Sequence, residues 1–198
     1  MRLGLFGGSF NPPHTGHLVV AEAMREAFAL DRVVWMPAAR PPHKTGADDA
    51  AALAPPDARL ALVRAAIAGN AGFDASDLEL RRAKATGTPS FTVETLRALV
   101  AAYAGAEWHL ILGEDSYAGL ASWREPDEIA RLARIVVYRR SGAPAHDDAH
   151  AARFPAAFAD APRLDISATD IRARLRERRS ARYLIPDAAL ALARDLYV

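Results

Sequence analysis

The sequence predicts an α/β fold: a single Rossmann-like, doubly wound parallel sheet with helices on both faces and a small C-terminal helical part at about residues 167–198. Three observations carry this expectation. Apolar runs of strand length alternate along the chain with stretches of helical periodicity. A strand, a turn, a helix and a second strand are completed within about 36 residues, the span of one βαβ unit. The 198 residues are 51% hydrophobic, with no internal repeat and no separating linker, which suits one domain over residues 1–198.

Leu3-Gly4-Leu5-Phe6 has the length of a buried strand and ends in the pair Gly7-Gly8. Pro12 and Pro13 then block regular structure. After His14-Thr15-Gly16-His17 a helix starts, with Val20, Met24, Ala27 and Phe28 on one face. Val33-Val34-Trp35-Met36 is a second strand, stopped by Pro37. The polar run Arg40-Pro41-Pro42-His43-Lys44-Thr45-Gly46 is a loop just past that strand's carboxyl end, where open α/β sheets bind ligands. Pro56 starts a helix carrying Leu60, Val63 and Ile67. Residues 73–80 read as a weak strand and residues 83–89 as a loop. Residues 92–103 read as a helix burying Val93, Leu96, Leu99 and Val100. Residues 108–112 are a strand ended by Gly113-Glu114-Asp115-Ser116, and a short helix begins near Pro126. Residues 135–138 are a further strand, residues 141–162 a loop with room for one short helix, and residues 164–166 a last short strand. Ser167 and Asp170 have the spacing of a helix cap ahead of Ile171 and Leu175, and residues 186–197 form a terminal helix.

The absence of cysteine excludes disulfides, thiolate catalysis and sulfur-ligated metals, and fits a reducing compartment. A net charge of +1 demands no nucleic-acid partner. No apolar run approaches the roughly 20 residues of a membrane span. With a strand rather than a signal peptide at the start, the expectation is a cytoplasmic protein with no membrane partner. Whether it forms a homo-oligomer is left open. His146-Asp147-Asp148-Ala149-His150 sits in a loop without helical or strand support, so no protein-held metal is expected there. The arginine-rich run 172–182 is broken by Glu177 and reads as a solvated helix face.

A strand order of 3-2-1-4-5 would set strands one and four side by side, with the turns at residues 7–17 and 113–116 across one crevice. A glycine-rich turn into a helix N-terminus offers amides to an anion, and the capped helix at Ser167 offers a second such end. His14, His17, Lys44 and Arg172 add more positive charge and donors than one phosphate requires, which points to a polyphosphate.

The run GGSFNPPHTGH at residues 7–17 resembles the H-x-G-H signature of the nucleotidyltransferase superfamily, and ISATDIR at residues 166–172 resembles its second motif. RPPHK at 40–44, SFTVETL at 90–96, and GEDS at 113–116 with Trp123 are similar to bacterial nicotinate-nucleotide adenylyltransferases. The resemblance implies transfer of the adenylyl group of ATP to nicotinate mononucleotide, giving deamido-NAD and pyrophosphate. It implies His14, His17, Lys44 and Arg172 as the catalytic, phosphate-holding set, with Mg²⁺ carried on the ATP phosphates. It also implies Gly7, Gly8, Ser9, Phe10, Gly113, Asp115, Ser167 and Thr169 around ATP. Asn11, Lys44, Thr92, Asp115, Trp123 and Arg124 would serve nicotinate mononucleotide. Ala168 departs from the pattern, since many superfamily members carry a second serine there, and Thr169 is the candidate to replace that hydroxyl. Two other readings stand beside this one: an adenylyltransferase for nicotinamide mononucleotide or another phosphorylated acceptor, and a non-catalytic nucleotide-binding module. A dinucleotide-dependent oxidoreductase fits poorly, because the first turn is GGSFN rather than G-x-G-x-x-G and strand two ends in Met36-Pro37.

Overall fold

The structure, a computed structural model, describes residues 1–41, 53–139 and 148–198. Its strands are β1 (Arg2–Gly8), β2 (Arg32–Pro37), β3 (Phe73–Ala75), β4 (Glu107–Gly113), β5 (Arg134–Arg139) and β6 (Ala156–Asp160). They form one sheet in the order β3-β2-β1-β4-β5-β6. The pairings are parallel, with Leu5 opposite Leu110, Ile111 opposite Val136, and Val137 opposite Phe158. Five consecutive residues of β4 are buried, as expected for a parallel strand covered on both faces. The chain winds outward from β1 to β3, then from β4 to β6. The expected order is found, extended by one edge strand.

The helices are α1 (Thr15–Ala27), α2 (Pro56–Ile67), α3 (Leu78–Thr86), α4 (Thr92–Ala102), α5 (Glu114–Ala118), α6 (Pro126–Leu132), α7 (Asp148–Arg153), α8 (Ala168–Arg176) and α9 (Asp187–Tyr197). Several sequence expectations are corrected. Residues 78–86 are helical rather than strand and loop: Leu80 and Glu79 face inward, Arg81 pairs with Asp77 at 2.9 Å, and Gly87 ends the helix with a φ of 69°. Residues 156–160 are a strand despite lacking branched side chains, because β5 supplies a parallel partner along its whole length. Residues 164–166 form no strand. The buried face of α1 uses Ala21 with Val20 and Met24, while Ala27 is exposed and Phe28 half-buried beyond the helix end. Val100 faces solvent, its place on α4 taken by Thr95. No helix of the described residues is long and apolar enough to cross a membrane.

The fold divides into two compact units, each assembled from three stretches of chain, so neither is a consecutive domain. One comprises residues 1–6, 20–34 and 91–163. Its core holds Leu3, Leu5, Leu110, Ile111, Val136 and Val137. A Cβ at Gly4 would lie 2.9 Å from the terminal methyls of both Leu30 and Ile111, which would have to move to admit it. Tyr117 Oη donates to the Phe154 carbonyl at 2.7 Å, and the His150 ring stands edge-on to Tyr117 at 4.7 Å. His150 therefore packs α7 in place, while His146 and Asp147 lie outside the described residues. The other unit comprises residues 7–19, 35–90 and 164–198. Its main core joins Leu62 and Ala66 of α2, Ile171 and Leu175 of α8, and Ala189, Ala193 and Tyr197 of α9.

At the amino end of β4, Glu107 accepts from Arg134 at 2.6 Å and lies 3.7 Å from Arg2 and 3.8 Å from His109. Burial pushes the His109 imidazole below its ordinary value of 6.5, outweighing the Glu107 carbonyl that holds Nδ1. The unfolded chain therefore takes up this proton more readily than the folded one. Stability is fully present above about pH 6.5 and falls as pH drops toward the depressed folded value. Urea midpoints measured at about pH 7.5 and about pH 5.5 are expected to fall on acidification, and less so in His109→Gln.

Candidate active site

The turn after β1 is shaped by packing around Phe10. Its ring is buried against Trp35 at 5.1 Å and His17 at 5.3 Å, and its backbone is held at a φ of 46°. That left-handed conformation is costly for a non-glycine residue and persists because the ring is pinned on several sides. Gly8 must be glycine, since a Cβ would meet the Phe10 ring at 2.9 Å; at Gly7 a Cβ would meet nothing within 4 Å. With the Phe10 ring inside, a role for this residue toward ATP falls to its backbone.

His14 and His17 stack with ring centroids 3.7 Å apart. The His14 amide donates to His17 Nδ1 at 3.2 Å, so neutral His17 carries its proton on Nε2. Gly16 allows this stacking, because a Cβ there would crowd the His14 ring at 3.1 Å. The start of α1 is less open than a bare helix N-terminus. The Thr15 amide is used by the Leu184 carbonyl at 2.9 Å, and the amides of His17 and Leu18 both reach back to the His14 carbonyl. The Thr15 hydroxyl donates to the Tyr183 carbonyl at 2.7 Å. The Thr15, His17 and Leu18 amides at this helix start are thus already engaged within the protein.

Below the turn, Arg59 of α2 is 1% exposed. Its guanidinium donates to three carbonyls: Ser9 at 2.7 Å, Ala54 at 2.9 Å and Ala39 at 3.2 Å. Ser9 belongs to the glycine turn, while Ala39 and Ala54 bracket the segment that carries Lys44. Burial pulls the Arg59 guanidinium below its ordinary value, but arginine starts so high that it stays charged. Ser90 fixes the same region, its hydroxyl accepting from the Ala39 amide at 3.0 Å. Lys44 itself lies outside the described residues.

The second motif meets the first directly. Ser167 caps α8, its hydroxyl accepting from the Asp170 amide at 3.0 Å. This leaves Ala168 and Thr169, at the first two helical positions, with amides that have no intrahelical acceptor. Arg172 Nη1 donates to the Asn11 carbonyl at 2.8 Å, and its Nη2 lies 3.4 Å from the Thr169 hydroxyl. The Asn11 side chain is buried, its Oδ1 accepting from Tyr197 Oη at 2.7 Å and from the Ala54 amide at 3.0 Å. Gly7, Gly8, Ser9, Phe10, Asn11, His14, His17, Ser167, Thr169 and Arg172 thus all belong to one unit.

The remaining candidates belong to the other unit. Gly113 caps α5 and cannot carry a Cβ, which would strike the Tyr138 ring at 2.9 Å. Asp115 is exposed in the first turn of that helix. Thr92 is half-buried at the first position of α4, and the cap is Phe91, so the Thr92 hydroxyl is not needed as a helix cap. Trp123 is half-buried and lies outside the core. Arg124 sits over the Phe91 ring at 4.8 Å and 3.7 Å from Glu125, which Arg97 holds at 2.6 Å. Among the described residues, no group of three or more His, Asp or Glu is placed to hold a metal ion.

A parallel sheet with two phosphate-type motifs joined through Arg172 defines a nucleotidyltransferase. The chain belongs to the cytidylyltransferase-like family, whose model matches residues 5–174. The "Probable nicotinate-nucleotide adenylyltransferase" of Salinibacter ruber is 45% identical over 201 residues, covering 100% of this chain and 98% of the relative. The protein of the same name from Thermus thermophilus is 40% identical over 188 residues, covering 95% and 94%. Within the superfamily, then, the chain is a member of the nicotinate-nucleotide adenylyltransferases. The fold is also that of Plasmodium falciparum nicotinic acid mononucleotide adenylyltransferase, solved with APC: TM-score 0.73 at 16% identity, covering 96% of this chain and 93% of that one.

Sequence reasoning missed Arg59 and Tyr197. Both carried a legible signal. Arg59 precedes Leu62, Val63 and Ala66 at helical spacing on the buried stripe of α2, a place where an arginine needs a buried partner. Tyr197 continues the stripe of Leu190 and Ala193 on α9. Arg59→Met would leave three carbonyls without their donor, and a loss of about 3 kcal/mol is expected in urea unfolding, at roughly 1 kcal/mol or more per orphaned acceptor. Arg59→Lys is expected to recover little of it, because a compact ammonium cannot span three acceptors.

Proposed function

We propose that this chain transfers the adenylyl group of ATP to the phosphate of nicotinate mononucleotide, giving deamido-NAD and pyrophosphate for NAD synthesis. The observation that carries the reading is the Arg172–Asn11 hydrogen bond of 2.8 Å, which fastens the His14–His17 turn and the capped helix α8 into one cradle of donors. The names of the full-length relatives support the acceptor.

In this reading ATP arrives as its magnesium complex, with Mg²⁺ carried on the phosphates and supplying charge neutralisation there. The acceptor phosphate is already largely dianionic near pH 7 and needs no protein base. One of its oxygens attacks the α-phosphorus in line. A new P–O bond forms, the bond to the bridging oxygen of the β-phosphate breaks, and pyrophosphate leaves with that electron pair. The protein's work is positioning and charge stabilisation. His17 donates from Nε2 to the triphosphate with His14 beside it, and Arg172 and Lys44 hold the departing phosphates. Gly7, Gly8, Ser9 and the Phe10 backbone, with Ser167 and Thr169, line the ATP, and Thr169 supplies the hydroxyl that Ala168 lacks. Gly113 and Asp115 serve the nucleotide ribose. Thr92 and the first amides of α4 take the nicotinate carboxylate, and amide donors favour a carboxylate over a carboxamide. Trp123 stacks on the pyridine, with Asn11 and Arg124 as further acceptor contacts. The cytoplasm, where ATP is supplied, is the compartment this reaction fits.

Pyrophosphate release is the test, with nicotinate mononucleotide and nicotinamide mononucleotide run in parallel. Faster turnover with the nicotinate form is expected. No release with either overturns the enzyme reading, and equal kcat/KM overturns the acceptor preference. His17→Ala is expected to lower kcat by about 10²–10³-fold, by analogy with loss of one oxyanion donor, while ATP binding weakens much less. A variant that keeps full turnover would remove His17 from the machinery.

A further inference from the structure

The proposed mechanism uses Arg172 but leaves open what holds its guanidinium in place. Arg172 Nη1 donates to the Asn11 carbonyl at 2.8 Å, so the placement of Arg172 depends on the placement of Asn11. Asn11 is 4% exposed and is itself fixed from two sides. Its carboxamide oxygen accepts from the Ala54 amide at 3.0 Å and from the Tyr197 hydroxyl at 2.7 Å. Tyr197 is 8% exposed, on a helix packed against α2 and α8.

We propose that Tyr197 is a positioning residue for adenylyl transfer, its hydroxyl locking Asn11 and, through the Asn11 carbonyl, the guanidinium of Arg172. The inference rests on the reading of Arg172 as a phosphate-holding group. Burial pushes the Tyr197 phenol up to about 12, with Arg172 and Arg59 opposing the shift. The hydroxyl therefore remains a donor across the working range of pH and never competes with Asn11 as an anion. A buried donor aimed at a buried acceptor is a directional constraint, whereas the ring's packing against Leu190 and Ala193 is not. Loss of the hydroxyl leaves the ring in the core and removes one of the donors to Asn11 Oδ1.

Tyr197→Phe in the full chain separates the two roles. Two quantities are measured: kcat/KM for ATP in pyrophosphate release, and ATP affinity by calorimetry, with thermal unfolding as the control for folding. The expected result is a fall of about fivefold to tenfold in both, from weakening one hydrogen bond of ordinary strength. The same substitution is then made in an Arg172→Ala background. If Tyr197 acts through Arg172, the further loss there is under twofold, because coupled residues are non-additive. An equal loss in both backgrounds, or none in either, overturns the inference and leaves Tyr197 a packing residue. Absence of turnover in the unsubstituted protein would strike the adenylyl-transfer reading alone, since ATP affinity in the four proteins still decides whether Tyr197 acts through Arg172.

Discussion

The guanidinium of Arg59 is the constraint on which the turn after β1 depends. A buried arginine is costly unless its donors are satisfied, and here the acceptors are main-chain carbonyls from three separate places in the chain. The consequence is geometric. The glycine turn at Ser9, the exit from β2 at Ala39 and the approach to α2 at Ala54 are held to one planar fork. The turn that carries His14 and His17 is thereby referenced to the ends of the segment that carries Lys44. Asn11 repeats the device one layer away, with Tyr197, Ala54 and Arg172 converging on a single buried residue. Both networks use side chains to tie backbone to backbone, which lets a loop-built site keep its shape without regular structure.

What the sequence made legible follows from how local each signal was. β1, β2, β4 and β5 are apolar runs bounded by glycine, proline or charge, and each was readable within a few residues. The cap at Ser167 was readable because it needs only a serine and the third residue after it. β6 was not readable, since Ala-Ala-Phe-Ala-Asp has no strand preference of its own and is made a strand by β5. Residues 78–86 misled because Leu78-Glu79-Leu80 alternates apolar with polar, while the run of helix formers up to Gly87 was the better guide.

The site shows the same division. H-x-G-H and ISATDIR were visible as motifs, and the structure joins them. That Thr15 spends its amide on Leu184 was not visible, because the partner is 169 residues away. Nor was the burial of Asn11, which the sequence presents as an ordinary polar turn residue. Long-range partners decide which donors of a motif face a ligand, and a motif alone names the residues without saying which are already engaged.

The allocation of residues between the two cores has a consequence for how such an enzyme changes. The groups assigned to the triphosphate are set by packing among α2, α8 and α9, while Thr92, Trp123 and Arg124, assigned to the pyridine nucleotide, are set by the α4 and α6 region. Thr92, Trp123 and Arg124 lie outside the hydrophobic cluster of α2, α8 and α9 that holds Ile171 and Tyr197. Change at Thr92, Trp123 or Arg124 leaves that cluster as it is, whereas change at Asn11, whose carbonyl holds Arg172, does not.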